Sequence, residues 1–385
     1  MSIYLDNAAT SFPKPEPVYQ AVVHAMRQVG ASPGRGDYRN SLEAARIMFQ
    51  AREAAAGLFS IDDSSRIIFT HNATAALNLA LHGTLVQGDH VITTSMEHNS
   101  LLRPLHALRR EGVEVTVIQA EMDGIVDPDN IRRAIRTNTR LIAVCHISNV
   151  CGAIQPIARI AKLCHEAGTM FLVDAAQSAG FADIDVKSIG IDLLAAPGHK
   201  GLLGPPGTGL LYVAPDVQLK PILEGGTGTN STSEEQPLTM PEGFETGTHN
   251  LPGIAGLKAG IDFLLANGVD NISRHELDLI DEAEFQLDRV PGLTIYVPKD
   301  RMLRGAVLSF SVAGIDASML AAELDRNYDI AVRAGLHCAP EAHRTIGTFP
   351  GGTIRLSPGW STTSEDISFF SDAVKQCVNK LRNST

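Results

Sequence analysis

The sequence predicts an α/β protein in two parts, a large unit built on a mostly parallel sheet and a smaller α+β unit toward the C-terminus. From about residue 17 to residue 213, strand-like apolar runs alternate with stretches of helical periodicity, which is typical of a parallel sheet covered by helices on both faces. An irregular segment rich in Gly, Thr, Ser and Pro follows at residues 219–250, and shorter elements come after it. The 385 residues are enough for two domains.

The large unit opens with a helix at residues 18–29, where apolar side chains recur at helical spacing and Gly30 ends the pattern. Asp127 followed by Pro128 is typical of a helix start, because an aspartate caps free N–H groups and a proline fits the first turn. Short apolar runs bounded by polar residues predict buried strands. The other predicted strands are 67–69, 91–93, 113–117, 141–147, 170–173 and 192–196, and the other predicted helices are 74–86, 101–111 and 156–167.

The smaller unit is predicted to follow two helices, at about residues 253–266 and 272–290. Its strands are expected near residues 293–297, 306–312, 330–333 and 353–357. The run Thr362-Thr363-Ser364-Glu365 has the pattern of a capping box, which predicts the start of the last helix. The expected domains are a large one, 13–265, and a small one, 266–385, with residues 1–12 packed on the small one.

Composition and charge exclude several classes of protein. Hydrophobic residues make up 44% and charged residues 19% of the chain, which is typical of a packed globular protein. The net charge of −11 argues against binding to nucleic acid or to an anionic membrane. The 13 histidines form no tight metal-binding pattern, and the five scattered cysteines favour neither a disulfide framework nor a zinc motif. Without a signal-peptide pattern or an apolar run long enough for a bilayer, we expect a cytoplasmic enzyme without a metal.

Two strand ends carry a pair of residues with a specific chemical meaning. Asp174 ends the apolar run at 170–173, and Lys200 follows the run at 192–196 in the sequence Pro-Gly-His-Lys-Gly. Open α/β sheets bind ligands at the carboxyl ends of their strands. An enzyme that uses pyridoxal 5'-phosphate (PLP) needs a lysine for the Schiff base with the cofactor and a carboxylate beside the pyridine nitrogen. A lone lysine or aspartate there is usually a surface or turn residue, but the pair together predicts PLP.

Three more strand ends offer polar side chains to the same edge. The run Asn72-Ala73-Thr74 opens a helix, where free N–H groups and the Thr74 hydroxyl are suited to a phosphate. His98 follows the next strand and Asn149 a later one. Taken alone, each residue has a plainer interpretation, as a helix cap, a loop histidine and a turn asparagine. Together with the lysine and aspartate pair, they favour one shared site.

Eight segments, spread in order over essentially the whole chain, match the motifs of one enzyme family. They are residues 4–9, 95–98, 146–152, 174–177, 198–205, 244–248, 333–338 and 354–357. On these motifs the chain resembles the class V aminotransferase family of PLP enzymes. The implied structure is the PLP-dependent transferase fold type I, with a mostly parallel seven-stranded sheet in the large domain. Within the family the chain is most similar to cysteine desulfurases and selenocysteine lyases with a short Arg-x-Gly-x-His-Cys motif, here Arg333 to Cys338.

The resemblance implies a role for each matching residue at the cofactor. Lys200 would carry the Schiff base and move protons at the substrate, Asp174 would pair with the pyridinium, and His98 would stack on the ring. Gln177 would bond the ring hydroxyl. The residues implied around the phosphate are Ala73, Thr74 and His199, together with Thr227 from the neighbouring subunit. The resemblance therefore also implies a homodimer.

The resemblance also implies the reaction, in which L-cysteine becomes L-alanine and Cys338 takes the sulfur as a persulfide. Asn149 and Arg355 would bind the substrate carboxylate, for which the planar fork of arginine is suited. Arg333 is the third implied substrate-site residue. A nearby cation, Arg333 or His337, would favour the reactive thiolate of Cys338.

The plainer interpretation of a free cysteine is a small buried apolar side chain. That interpretation fits Cys145 in a predicted strand, and Cys164 and Cys377 in predicted helices. Cys338 fits it poorly, because Gly335 and Pro340 bracket it in a segment without periodicity. We therefore expect Cys338 to be exposed.

Some residues depart from the family pattern and leave alternatives open. Pro197 stands where many desulfurases have a phosphate-binding serine, Ala73 replaces a common threonine, and loop 339–352 differs from the best-known members. The alternatives are a selenocysteine lyase, another class V lyase or aminotransferase, and an inactive scaffold. L-selenocysteine stays a possible substrate. The sulfur acceptor is open, with an iron–sulfur cluster assembly scaffold, a sulfur-relay protein and a thiolation protein as candidates by analogy.

Overall fold

The computed structural model describes residues 2–33, 36–228 and 232–383. The strands are β1 (Ile3–Tyr4), β2 (Ile67–Thr70), β3 (His90–Thr94), β4 (Glu114–Ile118), β5 (Thr139–Cys145), β6 (Met170–Asp174), β7 (Leu193–Pro197), β8 (Gly209–Val213), β9 (Leu293–Tyr296), β10 (Leu308–Val312), β11 (Ile330–Ala331), β12 (Arg333–Gly335) and β13 (Thr353–Leu356). The helices are α1 (Glu16–His24), α2 (Arg39–Leu58), α3 (Ala73–Thr84), α4 (Asn99–Arg110), α5 (Pro128–Ala134), α6 (Ile157–Ala167), α7 (Val186–Ile189), α8 (Leu251–Asn267), α9 (Val269–Leu287), α10 (Ala317–Tyr328), α11 (Pro340–Thr345) and α12 (Ser364–Asn383).

A seven-stranded sheet in the order β2-β8-β7-β6-β5-β3-β4 forms the larger part of the fold. Strands β7, β6, β5, β3 and β4 pair in parallel, whereas β8 pairs antiparallel with both β2 and β7. Six strands therefore share one direction and β8 alone opposes them, which confirms the predicted mostly parallel sheet. Their carboxyl ends meet at one edge, where ligand sites form in such folds.

Helices cover both faces of this sheet, as parallel strands require. Leu77 of α3 and Leu101 of α4 pack on one face, in the same apolar cluster as Leu172 of β6. Helices α2, α6 and α8 lie on the other face, in the cluster that contains Phe171 and Val173. Residues 171–173 are 0% exposed, so strand β6 is buried on both faces and ends directly at Asp174.

Helix α2 was not predicted from the sequence, and its buried face explains why. The residues that it buries are mostly alanines, and the charged Arg52 lies among them. The Arg52 guanidinium is paired with the buried Glu245 carboxylate, with Nη1 and Oε1 2.6 Å apart. A buried ion pair needs a partner from a distant segment, and periodicity within the helix does not reveal that partner.

The C-terminal part contains a four-stranded antiparallel sheet in the order β12-β13-β10-β9. Helices α9 and α12 pack on it through apolar residues such as Ile280 and Phe370. The single strand predicted at residues 330–333 is wrong in detail, because β11 pairs in parallel with the N-terminal β1 while β12 joins the four-stranded sheet. Strand β1 thus connects the start of the chain to its C-terminal part, and the domain boundary near residue 265 stays a prediction.

The capping box of the last helix lies one residue later than predicted. The N–H of Asp366 donates to the Thr363 hydroxyl at 3.2 Å, and the N–H of Thr363 donates to the Asp366 carboxylate at 2.9 Å. The pair is therefore Thr363 with Asp366, and not Thr362 with Glu365. Both pairs have the same spacing and chemistry, so the sequence pattern alone could not choose between them.

The described ranges contain neither a membrane-spanning helix nor a metal-ligand cluster. No helix there is long and apolar enough to cross a bilayer. No group of three or more His, Cys, Asp or Glu side chains is arranged to hold a metal ion among those residues. All five cysteines are free thiols, and Cys338 is exposed whereas the other four are buried, as expected for Cys338.

Candidate active site

Eight of the twelve predicted site residues line one cavity of about 150 Å³ at the carboxyl edge of the large sheet. They come from the ends of β2, β3, β5, β6 and β7, because these strands share one direction. The eight residues are Ala73, Thr74, His98, Asn149, Asp174, Gln177, His199 and Lys200. The sequence prediction of one shared site at several strand ends therefore agrees with their placement.

Lys200 lies at the wall of this cavity, three residues beyond the end of β7. Burial, and next the positive charge of Arg355, lower the pKa of its amine to about 8. A sizeable fraction of the amine is then neutral near physiological pH, which a nucleophilic lysine requires. The N-terminal segment fixes the lysine loop, because the Ser11 N–H donates to the His199 carbonyl at 3.0 Å and the Ser11 hydroxyl to the Lys200 carbonyl at 2.9 Å.

Asp174 presents a buried carboxylate to the same cavity. Its side chain accepts the Ala176 N–H at 2.9 Å, and the residue is only 2% exposed. Burial raises the pKa of Asp174 above its usual value, against the lowering effects of this hydrogen bond and of Lys200. In the described part of the chain Asp174 forms no ion pair. A buried carboxylate without a paired cation is suited to a cationic group of a ligand.

The first turn of α3 provides the backbone donors predicted for a phosphate. Asn72 caps this helix by accepting the Ala75 N–H at 2.9 Å, and the first N–H groups of a helix have no partner within it. Thr74 and Pro197 line the cavity beside that turn. Burial, and next the charge of Lys200, lower the pKa of His199 to about 4, so its imidazole is neutral and offers one N–H.

His98 is the N-cap of α4, and this position fixes its ring. Its Nδ1 accepts the Ser100 N–H at 3.0 Å, which assigns the ring proton of the neutral form to Nε2. Burial, and next the charge of Lys200, lower the pKa of His98 to about 4. The imidazole is therefore neutral at the cavity wall. Gln177 also lines the wall, and its amide donates to the Ala8 carbonyl at 2.9 Å.

Arg355 lies beside the cavity and is 2% exposed. Its Nη1 donates to the Asn149 carbonyl at 3.1 Å, its Nη2 to Asp6 at 2.8 Å, and its buried Nε has no partner among the described residues. Arg333 is the cross-strand neighbour of Arg355 and also pairs with Asp6, at 2.8 Å from Nη2. Two arginines thus share one carboxylate, which leaves one positive charge unmatched near Lys200.

Cys338 is exposed and lies in the short loop between β12 and α11. Its carbonyl accepts the N–H of Asn99 at 2.8 Å, so the loop is joined to the start of α4, directly after His98. The expectation that His337 favours the thiolate is wrong. Burial, and next the charge of Arg355, lower the pKa of His337 to about 2, which keeps the imidazole neutral. Arg333 retains its charge, because its hydrogen bond to Asp6 raises its pKa.

Three residues with clear structural roles at the site were not singled out from the sequence. Glu97 is 0% exposed, accepts hydrogen bonds from Thr94 and from the N–H of Cys145, and burial raises its pKa to about 8. Asp6 pairs with both arginines of the site, and the Asn99 N–H donates to the Cys338 carbonyl. Both Asp6 and Glu97 lie inside matched motifs, but only long-range contacts reveal what they hold. Thr227 lies in the irregular segment and is not among the residues that line the cavity.

The residues around the cavity fit PLP. An amine with a lowered pKa, an unpaired buried carboxylate and a helix N-terminus correspond to its aldehyde, its ring nitrogen and its phosphate. The loss of a hydroxyl at Pro197 leaves Thr74, His199 and the backbone donors at the phosphate end. Lys200, Asp174 and the first turn of α3 are therefore the residues that would hold the cofactor.

Comparisons with known proteins agree with this site. The family model described as aminotransferase class V matches residues 3–370. A probable cysteine desulfurase of Methanothermobacter thermautotrophicus is 37% identical over 380 residues, which cover 97% of this chain and 94% of that protein. A cysteine desulfurase of Escherichia coli is 36% identical over 346 residues, covering 87% and 84%. The apo structure of a cysteine desulfurase from Thermococcus onnurineus superposes with a TM-score of 0.91 at 33% identity, covering 98% and 95%.

These matches extend over nearly the whole chain and confirm both the family and the fold that the sequence motifs indicated. The likeness to the Thermococcus protein includes the large sheet and the C-terminal part, since it covers 98% of this chain. The chain belongs to the class V aminotransferase family, and its fold is the PLP-dependent transferase fold type I.

Proposed function

We propose that this protein is a PLP-dependent cysteine desulfurase, which converts L-cysteine to L-alanine and transfers the sulfur to Cys338. The observation that carries the proposal is the position of the exposed Cys338, whose backbone is bonded to the helix start beside His98 in the cofactor cavity. The relatives named cysteine desulfurases support the same activity. An inactive scaffold would not need an exposed thiol, a lysine of lowered pKa and a buried arginine at one cavity.

Different side chains of the cavity have different roles in the reaction. PLP, when bound, supplies an electron-accepting ring that weakens the bonds at the α- and β-carbons of the amino acid. Lys200, as a neutral amine, takes the proton from the substrate α-carbon. Asp174 would hold the cofactor by balancing a positive ring nitrogen, and the neutral His98 lies at the cavity wall without adding charge. Arg355 binds the α-carboxylate through the Nε–H, which has no partner among the described residues.

Cys338 carries out the sulfur transfer. Its thiolate attacks the substrate sulfur, so that a sulfur–sulfur bond forms at Cys338 as the bond between Cβ and sulfur breaks. The electron pair of the broken bond stays with the substrate carbon, which takes up a proton and leaves as alanine. The product on the enzyme is a persulfide, which a thiol or an acceptor protein then reduces or removes.

The proposal is tested by alanine and sulfide formation from L-cysteine in the presence of a reductant. Equal amounts of both products are expected. Transamination with pyruvate or glyoxylate but no sulfide would instead identify an aminotransferase. L-selenocysteine serves as a parallel substrate, and turnover of it without turnover of L-cysteine would identify a selenocysteine lyase.

Replacement of Arg355 by alanine should raise the KM for L-cysteine. A hydrogen bond to a charged group contributes about 1.5–3 kcal/mol, so the expected rise is about 10- to 150-fold. Arg355→Lys keeps the charge but loses the planar fork, and an intermediate KM is expected. The matched control is Arg136→Ala, which breaks an exposed ion pair with Glu114. An unchanged KM in Arg355→Ala would remove this residue from carboxylate binding.

We also propose that the protein acts as a homodimer in which the described residues 219–228 and 232–250 face the partner. Ile222, Leu223 and Leu238 of this segment are 47%, 64% and 65% exposed, and such apolar exposure favours a covered surface. Sedimentation is expected to give twice the mass of the 385-residue chain. The substitution Leu223→Glu is expected to lower the measured mass toward that of a single chain. Thr227→Ala should weaken PLP retention in the dimer. A monomeric wild-type protein with full retention would contradict this arrangement.

A further inference from the structure

The backbone beside the nucleophile is held in an unfavourable conformation. His337 has a φ of 47° and Cys338 a φ of 57°. This left-handed region disfavours residues with a Cβ, and two such residues in succession persist only where surrounding contacts enforce them. The contacts that enforce this conformation therefore control where the Cys338 thiol lies.

Two hydrogen bonds hold the carbonyl groups of these two residues. The Cys338 carbonyl accepts the N–H of Asn99, which is fixed at the start of α4. The His337 carbonyl accepts the side-chain amide of Asn149, with Nδ2 at 2.7 Å. The first donor is a helical backbone group, whereas the second is a side chain that can rotate. Of the two hydrogen bonds, the one from Asn149 is therefore the bond that a side-chain rotation can break.

Asn149 is also part of the cavity where the substrate binds. It is 8% exposed and lines that cavity together with Lys200. Its carbonyl accepts Arg355 Nη1 at 3.1 Å, and the unpartnered Nε of Arg355 is buried. A carboxylate bound by Arg355 is therefore next to the residue whose amide holds the nucleophile's loop. Asn149 therefore contacts both the arginine that binds the carboxylate and the loop that carries Cys338.

We propose that Asn149 positions Cys338, and that the carboxylate of a bound amino acid takes the Asn149 amide from the His337 carbonyl. The strained backbone at His337 and Cys338 then relaxes, and the thiol becomes mobile only when the site is occupied. This inference rests on the proposed function, because the proposed function assigns the reactive sulfur to Cys338. It adds a coupling between carboxylate binding and the nucleophile, which keeps a reactive thiol in place until substrate arrives.

The coupling is tested by the rate at which iodoacetamide alkylates Cys338 in the PLP-loaded protein. The other four cysteines are buried, so the label reports on Cys338. L-alanine carries the carboxylate without sulfur, and ethylamine is the same molecule without the carboxylate. L-alanine is expected to raise the alkylation rate about 3- to 10-fold, the shift in population that the loss of one buried hydrogen bond gives. Ethylamine is expected to leave the rate unchanged.

Two variants of Asn149 separate the coupling from general loosening of the fold. Neither Asn149→Ala nor Asn149→Asp can donate to the His337 carbonyl, so both should be alkylated at the raised rate without ligand and should not respond to L-alanine. The matched control is Asn138→Ala, which removes the same kind of bond, to the Gly88 carbonyl, at another part of the sheet. This control should behave as wild type.

The inference is overturned if L-alanine leaves the wild-type alkylation rate unchanged or lowers it, or if folded Asn149 variants are alkylated at the wild-type basal rate. Retained PLP absorbance identifies the folded variants, and the second variant serves if the first does not fold. Alkylation measures the mobility of the thiol and not sulfur transfer. Its failure is therefore distinct from failure of the desulfurase activity, which alanine formation measures.

Discussion

Replacement of Lys200 by alanine should lower the rate of alanine formation from L-cysteine by at least about 10³-fold, within the contribution that a positioned proton-transfer group makes to catalysis. The variant loses both the covalent attachment point for PLP and the amine that moves the substrate proton. Burial gives this amine a pKa of about 8, and no other lysine of the described ranges lines the cavity. The measurement is alanine formed per minute, with covalent PLP determined by borohydride reduction and mass spectrometry.

The matched control for Lys200 is Lys187→Ala, which removes an exposed lysine paired with Asp62 on the surface. This control is expected to keep wild-type turnover and a full complement of reducible PLP. Substantial turnover in Lys200→Ala at equal total PLP would remove the lysine from its central role. Adding a small amine such as methylamine should restore part of the rate if only the proton carrier is missing.

Replacement of Cys338 by alanine should abolish sulfide formation while leaving PLP binding intact. The thiol is exposed and outside the residues that line the cofactor cavity, so its loss removes the sulfur acceptor without disturbing the site for PLP. The measurement is sulfide and alanine formation at equal PLP occupancy. Cys338→Ser, which keeps the size and polarity of the side chain, should be equally inactive.

The control for Cys338 is Cys164→Ala, which removes a buried thiol from α6 on one face of the large sheet. It should retain activity, because burial raises the pKa of Cys164 far above the physiological range and keeps it a thiol. Equal sulfide release by wild type and Cys338→Ala would mean that the product leaves directly, as in a lyase. That result would favour a selenocysteine lyase or another class V lyase over a desulfurase.

Most of the large sheet could be predicted because its central strands are buried on both faces and appear as continuous apolar runs, such as residues 171–173. The edge strand β4 is only partly buried. Strand β8 (Gly209–Val213) was not among the predicted strands, and its antiparallel direction could not be predicted either, because a buried apolar run has the same pattern in both orientations. Helix α2 was not predicted, because the face that it buries consists mostly of alanines and a charged arginine and lacks a periodic pattern of large apolar residues. The two sheets joined by residues 330–335 also depend on pairing partners that the local pattern does not contain.

The cofactor site was predictable to the extent that it consists of side chains at strand ends. Lys200 and Asp174 carry their chemistry in their residue types, and the parallel sheet brings them together. The contacts of Asp6 with Arg333 and Arg355 join residues more than 300 positions apart, and no local pattern indicates them. Backbone donors such as the Asn99 N–H carry no residue-type signal. Burial, which makes His337 neutral, likewise becomes visible only in the fold.

The most direct evidence for sulfur transfer to Cys338 would be detection of the transferred sulfur atom on this residue. The PLP-loaded protein is incubated with less than one equivalent of L-cysteine per site and without reductant, so that each site turns over at most once; its thiols are then alkylated, and the peptide that contains Cys338 is analysed by mass spectrometry. If the protein is a desulfurase, this peptide should carry one additional sulfur atom, in an amount equal to the alanine released. Alanine release with no added sulfur on Cys338 would contradict the proposed sulfur transfer.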